Sequence, residues 1–206
     1  MSNDNAIHTE SYRGCTIQIE QDFDPPNPRK QWSNLGELLC IHSRYSLGDE
    51  HDYRTPEDIQ EYTNKTAAIC LPLYLYDHGG MSISTRSFAG RAPHADWDSG
   101  MVGYAIVTRA AILKNYNCRR ISRQVLGRAQ MVLQAEIREY DLYLRGEIYG
   151  FEVSYPDGTA DSCWGYFGES KGYVLECARQ AIDEHLQYTE EEETRLLSRA
   201  LAFSGC

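Results

Sequence analysis

The residues best suited to chemistry lie in GDEHDY, at positions 48–53. Asp49, Glu50 and Asp52 supply carboxylate oxygens and His51 supplies an imidazole, and divalent metal ions are bound by these donors. Such a cluster is typical of a metal-dependent hydrolase or nuclease when other loops complete it. Adjacent ligands on one loop seldom hold a metal alone, and a solvated polar loop ahead of a helix explains the same residues. Both interpretations stay open.

Two further loops carry carboxylates and imidazole. In LPLYLYDHGGMSIST, at positions 71–85, Asp77 and His78 stand between two alternating runs, and Asp96 and Asp98 flank Trp97 further along. A hairpin corner explains the first pair, because aspartate bonds its own backbone and the glycines that follow accept positive φ. If the chain has a metal site, we expect its ligands to be Asp49, His51, His78 and Asp96. The hydrolase hypothesis adds Asp77 and Asp98.

The best-known chemical motifs are absent from the sequence. It has no G-x-x-x-x-G-K-[ST], G-x-G-x-x-G, H-E-x-x-H, G-x-S-x-G or calcium-binding loop. It therefore lacks the usual signals for phosphate, dinucleotide, zinc, acyl-transfer and calcium sites. The seven cysteines form no C-x-x-C pair, which favours buried, reduced thiols. Cys40 and His42 would point apart on a helix, so a nucleophile pair is not favoured, and we expect no cofactor.

A basic run, CRRISRQVLGR at 118–128, is the segment that suggests nucleic acid. On a helix, Arg123 and Arg128 are about 140° apart, so the charges do not form one stripe. The aromatic residues that single-strand binding uses are not interleaved with them. A solvated flank of a helix is the better interpretation, and we do not expect direct nucleic-acid binding.

Tyrosine is unusually frequent, with fifteen Tyr against five Phe. Its ring brings a large contact area and its hydroxyl can stay hydrated, so tyrosine is common at protein interfaces. Half-buried sheet positions select the same residue, and both explanations stay open. If aromatic residues and their polar neighbours bind a partner, we expect the contact to involve Tyr74, Tyr76, Asp77, His78, Trp97, Asp98, Trp164 and Tyr166.

Two hairpins are predicted from alternating hydrophobicity. Residues 66–88 alternate on both sides of Asp77-His78-Gly79-Gly80, which is typical of two strands joined at a corner. Residues 147–167 show the same pattern around Pro156-Asp157-Gly158. The loops that carry the candidate residues therefore lie at the ends of strands.

Several helices are predicted from periodicity and caps. The longest spans 122–145, with Ser122 as N-cap and an apolar stripe that has one polar exception, Glu136. Thr55 caps a short helix that ends near residue 64, Thr108 caps another, and a further short helix is predicted at 35–42. A helix follows at 170–187, and Thr189 with Glu192 predicts a capping box for the last one.

These elements predict an α+β fold. We expect a single domain whose antiparallel or mixed sheet is built from hairpins and covered by the long helix, with a C-terminal helix. The predicted division is a flexible N-terminus at 1–15, the domain at 16–187, and an amphipathic C-terminal helix with an acidic start at 188–206. A chain of 206 residues is long enough to bury such a core.

The charge is acidic but unevenly placed. The net charge of −10 opposes generic attraction to phosphate backbones, yet residues 109–145 hold eight Arg or Lys against three Asp or Glu, a local +5. This distribution suits a basic partner or a self-complementary assembly, so a homo-oligomer stays open. The sequence shows no signal peptide and no run of about 20 apolar residues. We therefore expect a cytoplasmic protein without membrane contact.

Five segments resemble a family of uncharacterised small proteins of bacteriophages, prophages and conjugative elements. They are, in order, LGDEHDY, LPLYLYDHGGMSIST, WDSGMVGYAIVT, YDLYLRGEIYGFEV and DSCWGYFG. The resemblance covers roughly residues 16–185, and LPLYLYD and DSCWG are its most specific parts. It implies no activity and no catalytic residue. It does imply a setting, since accessory genes of mobile elements often encode inhibitors of host defence, including anti-CRISPR and antirestriction proteins.

The residues and this resemblance together favour a non-enzymatic binding protein of a mobile element. We expect it to inhibit a nucleic-acid-targeting defence complex of its bacterial host by occupying a basic surface. Exposed Tyr and Trp residues would be the anchors. The alternative is a metal-dependent hydrolase or nuclease that uses the Asp and His residues of the loops.

Overall fold

The structure is a computed structural model, and it describes residues 6–168 and 171–204. Backbone contacts divide the chain into two compact units. One, which we call the terminal unit, comprises Met1–Asp24 with Ile148–Cys206, and the other, the central unit, is Pro25–Glu147. Each unit has one antiparallel four-stranded sheet and helices, so the predicted α+β class is confirmed.

The described residues form eight strands and six helices. The strands are β1 Ala6–Tyr12, β2 Cys15–Gln21, β3 Glu37–Cys40, β4 Ala67–Asp77, β5 Met81–Ser84, β6 Ser99–Thr108, β7 Ile148–Ser154 and β8 Ala160–Phe167. The helices are α1 Pro28–Gln31, α2 Pro56–Thr66, α3 Ala95–Asp98, α4 Arg109–Asn115, α5 Arg123–Arg145 and α6 Lys171–Ser204.

The terminal unit has the strand order β1-β2-β7-β8. Alternate residues of β2 and β7, including Ile17, Ile19 and Val153, pack with Val174 and Ile182 of α6 in one buried cluster. Period-two alternation in the strands and helical spacing in α6 put these apolar side chains on facing surfaces. The hairpin predicted around Pro156-Asp157-Gly158 is confirmed as β7 and β8.

The central unit has the strand order β3-β6-β4-β5. Leu73 and Leu75 of β4 lie in the same buried cluster as Leu133, Ile137 and Tyr140 of α5. On the other side of the sheet, Ile59 of α2 packs with Leu39 and Ile106 in a second, smaller cluster. The sequence predicted one sheet covered by the long helix, but the structure has two sheets. Helix α5 packs on the sheet of the central unit, and α6 packs on the sheet of the terminal unit.

The predicted ends of α5 and the predicted start of α2 are confirmed. The Ser122 hydroxyl accepts from the backbone N–H of Val125 at 3.2 Å, and α5 ends at Gly146, whose φ of 66° is left-handed. Thr55 and Asp58 form a reciprocal capping box at the start of α2. These caps satisfy backbone groups that the first turn of a helix leaves free, which is why the local sequence predicts them well.

Two predicted helix features are wrong. Residues 35–42 do not form a helix, because Glu37–Cys40 pairs with β6 as strand β3. No helix begins at Thr189, since α6 is continuous and the Thr189 hydroxyl donates to the His185 carbonyl at 2.9 Å. In the N-terminal segment 1–15, Ala6–Tyr12 forms β1, an edge strand paired with β2. The domain limits at 16 and 187 stay predictions.

Candidate functional site

The end of the β4–β5 hairpin gathers the polar and aromatic residues that the sequence analysis singled out. Tyr76 near the end of β4 lies opposite Ser99 at the start of β6, so α3, which ends at Asp98, comes beside the hairpin corner. The loop after β3 joins them, because Ile41 donates its N–H to the Val102 carbonyl at 2.8 Å. We call the following residues the hairpin-end cluster: Arg44, Tyr45, Asp77, His78, His94, Trp97 and Asp98.

An imidazole–carboxylate pair lies at the centre of this cluster. His78 Nδ1 lies 2.8 Å from Asp98 Oδ2, and the side chains are 50% and 32% exposed. A carboxylate only accepts hydrogen bonds, so Nδ1 carries the proton of this contact. The His78 ring also stacks with Tyr76 and with His94, at centroid distances of 6.0 and 5.3 Å. These contacts fix the imidazole while half of its surface remains in water.

Asp77 is held by the loop that follows β3. Its Oδ2 accepts from Arg44 Nη2 at 2.9 Å and from the Tyr45 hydroxyl at 3.0 Å. Turn chemistry still applies at Gly79, which has a φ of 71°. The two polar residues of the corner therefore do more than close a turn, because Asp77 links it to one neighbouring loop and His78 links it to α3.

Backbone strain marks the entry to α3. His94 has φ 55° and ψ 16°, a left-handed conformation that is uncommon for a residue other than glycine. Next to it, the Pro93 carbonyl accepts from the Tyr76 hydroxyl at 2.9 Å. Such strain persists only where surrounding contacts enforce it, and it is frequent at functional sites. The enforced turn presents Trp97, whose surface is 90% exposed.

A shallow depression adjoins the cluster. Its volume is about 340 Å³, and its lining includes Arg44, Asp77, Trp97, Asp98 and Met101. Met101 is 48% exposed, so two large apolar side chains border the same depression as two carboxylates. This combination of apolar area and fixed polar groups is typical of a recognition surface.

Asp49 and His51 of the GDEHDY segment have a structural role and do not belong to the hairpin-end cluster. Asp49 accepts from Arg29 Nε at 2.9 Å, from Arg29 Nη2 at 2.7 Å and from the Leu38 N–H at 2.8 Å. His51 Nε2 lies 2.9 Å from the Cys40 carbonyl oxygen. These contacts attach the 48–53 loop to β3, so both residues hold the fold together.

Arg29 is the centre of a buried ionic cluster. Its side chain is 1% exposed, and its Nη1 lies 3.5 Å from Glu136 Oε2. Glu136 also accepts from the backbone N–H groups of Leu35, at 2.6 Å, and Gly36, at 3.0 Å. We call Arg29, Asp49 and Glu136 the buried ionic cluster. Sequence analysis missed it, although Glu136 as the one polar exception on the apolar stripe of α5 was a signal.

The metal ligands expected from the sequence do not converge. Asp49 and His51 line a separate depression with Glu37 and Tyr53, whereas His78 pairs with Asp98, and Asp96 is exposed on α3. Over residues 6–168 and 171–204, no group of three or more His, Cys, Asp or Glu side chains is arranged to hold a metal ion. The hydrolase interpretation therefore gains no support from this geometry.

Four of the expected binding residues lie outside the hairpin-end cluster, and of these Tyr76 touches it by stacking on the His78 ring. Tyr74 is half-buried on the same sheet face as Tyr76 and opposite Met101. Trp164 and Tyr166 belong to β8 in the terminal unit, where the Trp164 ring covers Gly150 so closely that a Cβ there would lie 2.2 Å from Cε3. Burial raises the pKa of Tyr166, whose hydroxyl faces the Cys163 and Cys177 thiols.

Comparison with known proteins adds nothing to this picture. No protein-family model, no curated protein and no solved structure matches the chain. The resemblance to mobile-element proteins therefore stays a prediction. In the part of the chain that the structure describes, every helix is too short or too polar to cross a membrane.

Proposed function

We propose that this protein is a non-enzymatic binding protein and that the hairpin-end cluster is its recognition surface. The observation that carries the proposal is the exposed Trp97 on a helix held by the His78–Asp98 pair. Tryptophan is the side chain most enriched among residues that dominate binding energies. A rigid support lowers the entropy lost on binding, so a fixed tryptophan is an effective anchor.

The charges of the cluster support a basic partner. Asp77 and Asp98 belong to the cluster and the exposed Asp96 precedes Trp97 on α3, whereas Arg44, which pairs with Asp77, is a cation of the cluster. The net charge of −10 adds a long-range attraction for positive surfaces. Carboxylates around an apolar anchor would direct the partner and set its orientation, while Trp97 and Met101 would supply buried area.

The partner that best fits this surface is a protein that acts on nucleic acid. A protein that cleaves or binds nucleic acid presents a basic surface, and an acidic protein with exposed anchors can occupy that surface. The resemblance of LPLYLYD and DSCWG to mobile-element proteins supports this setting. We propose that the partner is a nucleic-acid-targeting defence complex of a bacterial host.

Binding is favoured over metal-dependent hydrolysis. Both need polar residues at the hairpin end, but hydrolysis by a bound metal also needs ligands that face one point. Asp77 accepts hydrogen bonds from Arg44 and Tyr45. Asp98 bonds to His78, and Asp49 bonds to Arg29. These carboxylates are thus used within the fold, which leaves their exposed edges for contact with a partner.

Affinity capture followed by a functional assay tests the proposal. Wild-type protein, Trp97→Ala and a control, Tyr188→Ala, would be used to capture partners from a bacterial host lysate. Tyr188 is also an exposed aromatic residue, but it lies on α6. We expect wild type and the control to retain a defence component and to protect an invading plasmid or phage, and Trp97→Ala to lose both properties. Absence of a defence component and of protection with wild type would contradict the proposal.

A further inference from the structure

A second surface of the central unit has the opposite charge. A groove of about 380 Å³ lies between β5 with its following loop and one face of α5. Three arginines line it, Arg91 from the loop and Arg138 and Arg145 from α5. We call it the arginine groove. Its volume falls in the range of small-molecule binding sites, about 300–1,000 Å³.

The groove has an apolar floor and a polar wall. Ile83 and Phe88 from the β5 side and Ile137 from α5 are buried and line it. Ser84 and Thr85 add two hydroxyls above this floor. The α5 wall is regular, because residues spaced by three or four positions share one helix face; these residues are Gln134, Arg138, Asp141 and Arg145.

The one carboxylate of the lining is already engaged. Asp141 Oδ1 accepts from the Ser82 hydroxyl and from the Ile83 N–H, each at 2.7 Å. This contact covers the open edge of β5 and holds α5 against the strand. With Asp141 bound to its neighbours, the lining carries three cations against one anion, a local excess of +2 in a chain whose net charge is −10.

Two of the arginines are held by contacts within the fold, and the third makes no ion pair with the residues that the structure describes. Arg91 Nη1 donates to the Ser87 carbonyl at 3.2 Å, and its guanidinium lies 5.8 Å from the centre of the Phe88 ring. Arg145 pairs with Asp141 at 3.5 Å and with Glu147. Arg138 is exposed, and within the described residues it makes no ion pair. Because Arg138 lines the groove without an ion pair among the described residues, an anion there gains attraction without displacing an existing pair.

We infer that the arginine groove binds a phosphate-bearing small molecule. Guanidinium groups match phosphate oxygens with paired hydrogen bonds, and they do so better than lysine. The hydroxyls of Ser84 and Thr85 can donate to the same oxygens. The apolar floor would contact the body of the ligand beyond its phosphate. This site is separate from the hairpin-end cluster, so either proposal can fail without the other.

Titration with inorganic phosphate and pyrophosphate tests this inference. Isothermal calorimetry at low salt would compare the full-length wild type with Arg138→Gln, Arg91→Gln and a control, Arg128→Gln. Arg128 is an exposed arginine of the same helix outside the groove, and its replacement changes the net charge equally. We expect saturable one-site binding of pyrophosphate to wild type, about tenfold weaker binding for each groove variant, and no change for the control.

Three results would overturn the inference. They are absence of saturable pyrophosphate binding to wild type, equal weakening by Arg128→Gln, and binding of a single-stranded oligonucleotide that is far tighter than that of pyrophosphate, displaces pyrophosphate, and is weakened by Arg91→Gln and Arg138→Gln. The last result would assign the groove to nucleic acid. Circular dichroism would show that each variant is folded, and the use of two groove variants keeps the test valid if one of them does not fold.

Discussion

The buried ionic cluster and the hairpin-end cluster use the same chemistry in opposite surroundings. Arg29 has a side chain that is 1% exposed, donates to Asp49 and forms an ion pair with Glu136. The two carboxylates also accept from three backbone N–H groups. His78 and Asp98 share one hydrogen bond, and their side chains are 50% and 32% exposed. The difference shows that an Asp and a basic residue at contact distance do not reveal function by themselves. Burial and the number of internal partners separate a structural pair from a surface available to a partner.

The two clusters should differ strongly in their contribution to stability. Removal of one partner from a buried ion pair leaves an uncompensated charge and costs about 3–5 kcal/mol. Exposed pairs are screened by water and contribute about 0–1 kcal/mol. Substitutions in the two clusters therefore test whether the structural and recognition roles are assigned correctly.

The largest effect is expected for Arg29→Met. The substitution keeps an apolar stem but leaves Asp49 and Glu136, whose side chains are only 23% and 10% exposed, without their buried cation, so the free energy of unfolding should fall by about 3–5 kcal/mol. Urea denaturation monitored by circular dichroism measures it. The matched control is Arg44→Met, which breaks the exposed pair with Asp77. A loss for Arg29→Met no greater than that of the control would show that the buried ionic cluster is not structural.

The next effect is a pH dependence that Tyr140 should cause. Its hydroxyl accepts from the Gly48 N–H at 2.9 Å, next to Asp49, and burial raises its pKa to about 12. An unfolded tyrosine has a pKa of about 10. The contribution of neutral Tyr140 to the free energy of unfolding is therefore fully present below pH 10 and is lost as pH rises toward 12. The reason is that tyrosine in the unfolded state releases its hydroxyl proton at lower pH than in the folded state.

Comparison of wild type with Tyr140→Phe isolates this contribution. Between pH 9 and pH 12, the free energy of unfolding should fall by about 2 kcal/mol more for wild type than for the variant. At pH 7 the variant should be less stable by about 1–3 kcal/mol, because the half-buried Gly48 N–H loses its acceptor. Denaturation series at several pH values measure both differences. Parallel stability curves for the two proteins at alkaline pH would contradict the account of Tyr140.

A smaller effect is expected for Asp98→Asn. The pair with His78 is about half exposed, so its loss should lower the free energy of unfolding by less than about 1 kcal/mol. The same urea titration measures it, beside Arg29→Met. A loss of 3 kcal/mol or more would place this pair with the structural contacts, and it would remove the contrast between the two clusters.

The smallest effect on stability is expected for Trp97→Ala. A side chain that is 90% exposed gives up little buried area when it is truncated, so unfolding should change by less than about 0.5 kcal/mol. Thermal denaturation measures the change, with Leu133→Ala in the core of the central unit as the opposite extreme. Marked destabilisation by Trp97→Ala would mean that the ring is part of the fold.

Local features of the fold could be predicted from the sequence. The caps at Ser122 and Thr55 and the alternation of β4 act within a few residues, and each was confirmed. Strand β3 was missed because its short apolar run, Leu38 to Cys40, fits a helix turn as well as a strand. The second sheet was missed because β2 pairs with β7, and a partner more than a hundred residues away leaves no local pattern.

The candidate site was predicted only in part, because its residues have local signals but their convergence depends on long-range pairing. Asp77, His78, Trp97 and Asp98 were named from their types and their turn-like surroundings. Their convergence depends on the pairing of β4 with β6 and on the left-handed turn at His94, and neither follows from local sequence. The structure does not bring Asp49 and His51 to them, because Asp49 is held by Arg29, twenty residues earlier in the chain.

The affinity of the captured partner for Trp97→Ala tests the central claim most directly. Binding would be measured by calorimetry or surface plasmon resonance with wild type, Trp97→Ala and Tyr188→Ala, after urea denaturation has shown equal stability. The account predicts at least tenfold weaker binding for Trp97→Ala and unchanged binding for Tyr188→Ala. Equal affinity of wild type and Trp97→Ala would contradict the assignment of the hairpin-end cluster as the recognition surface.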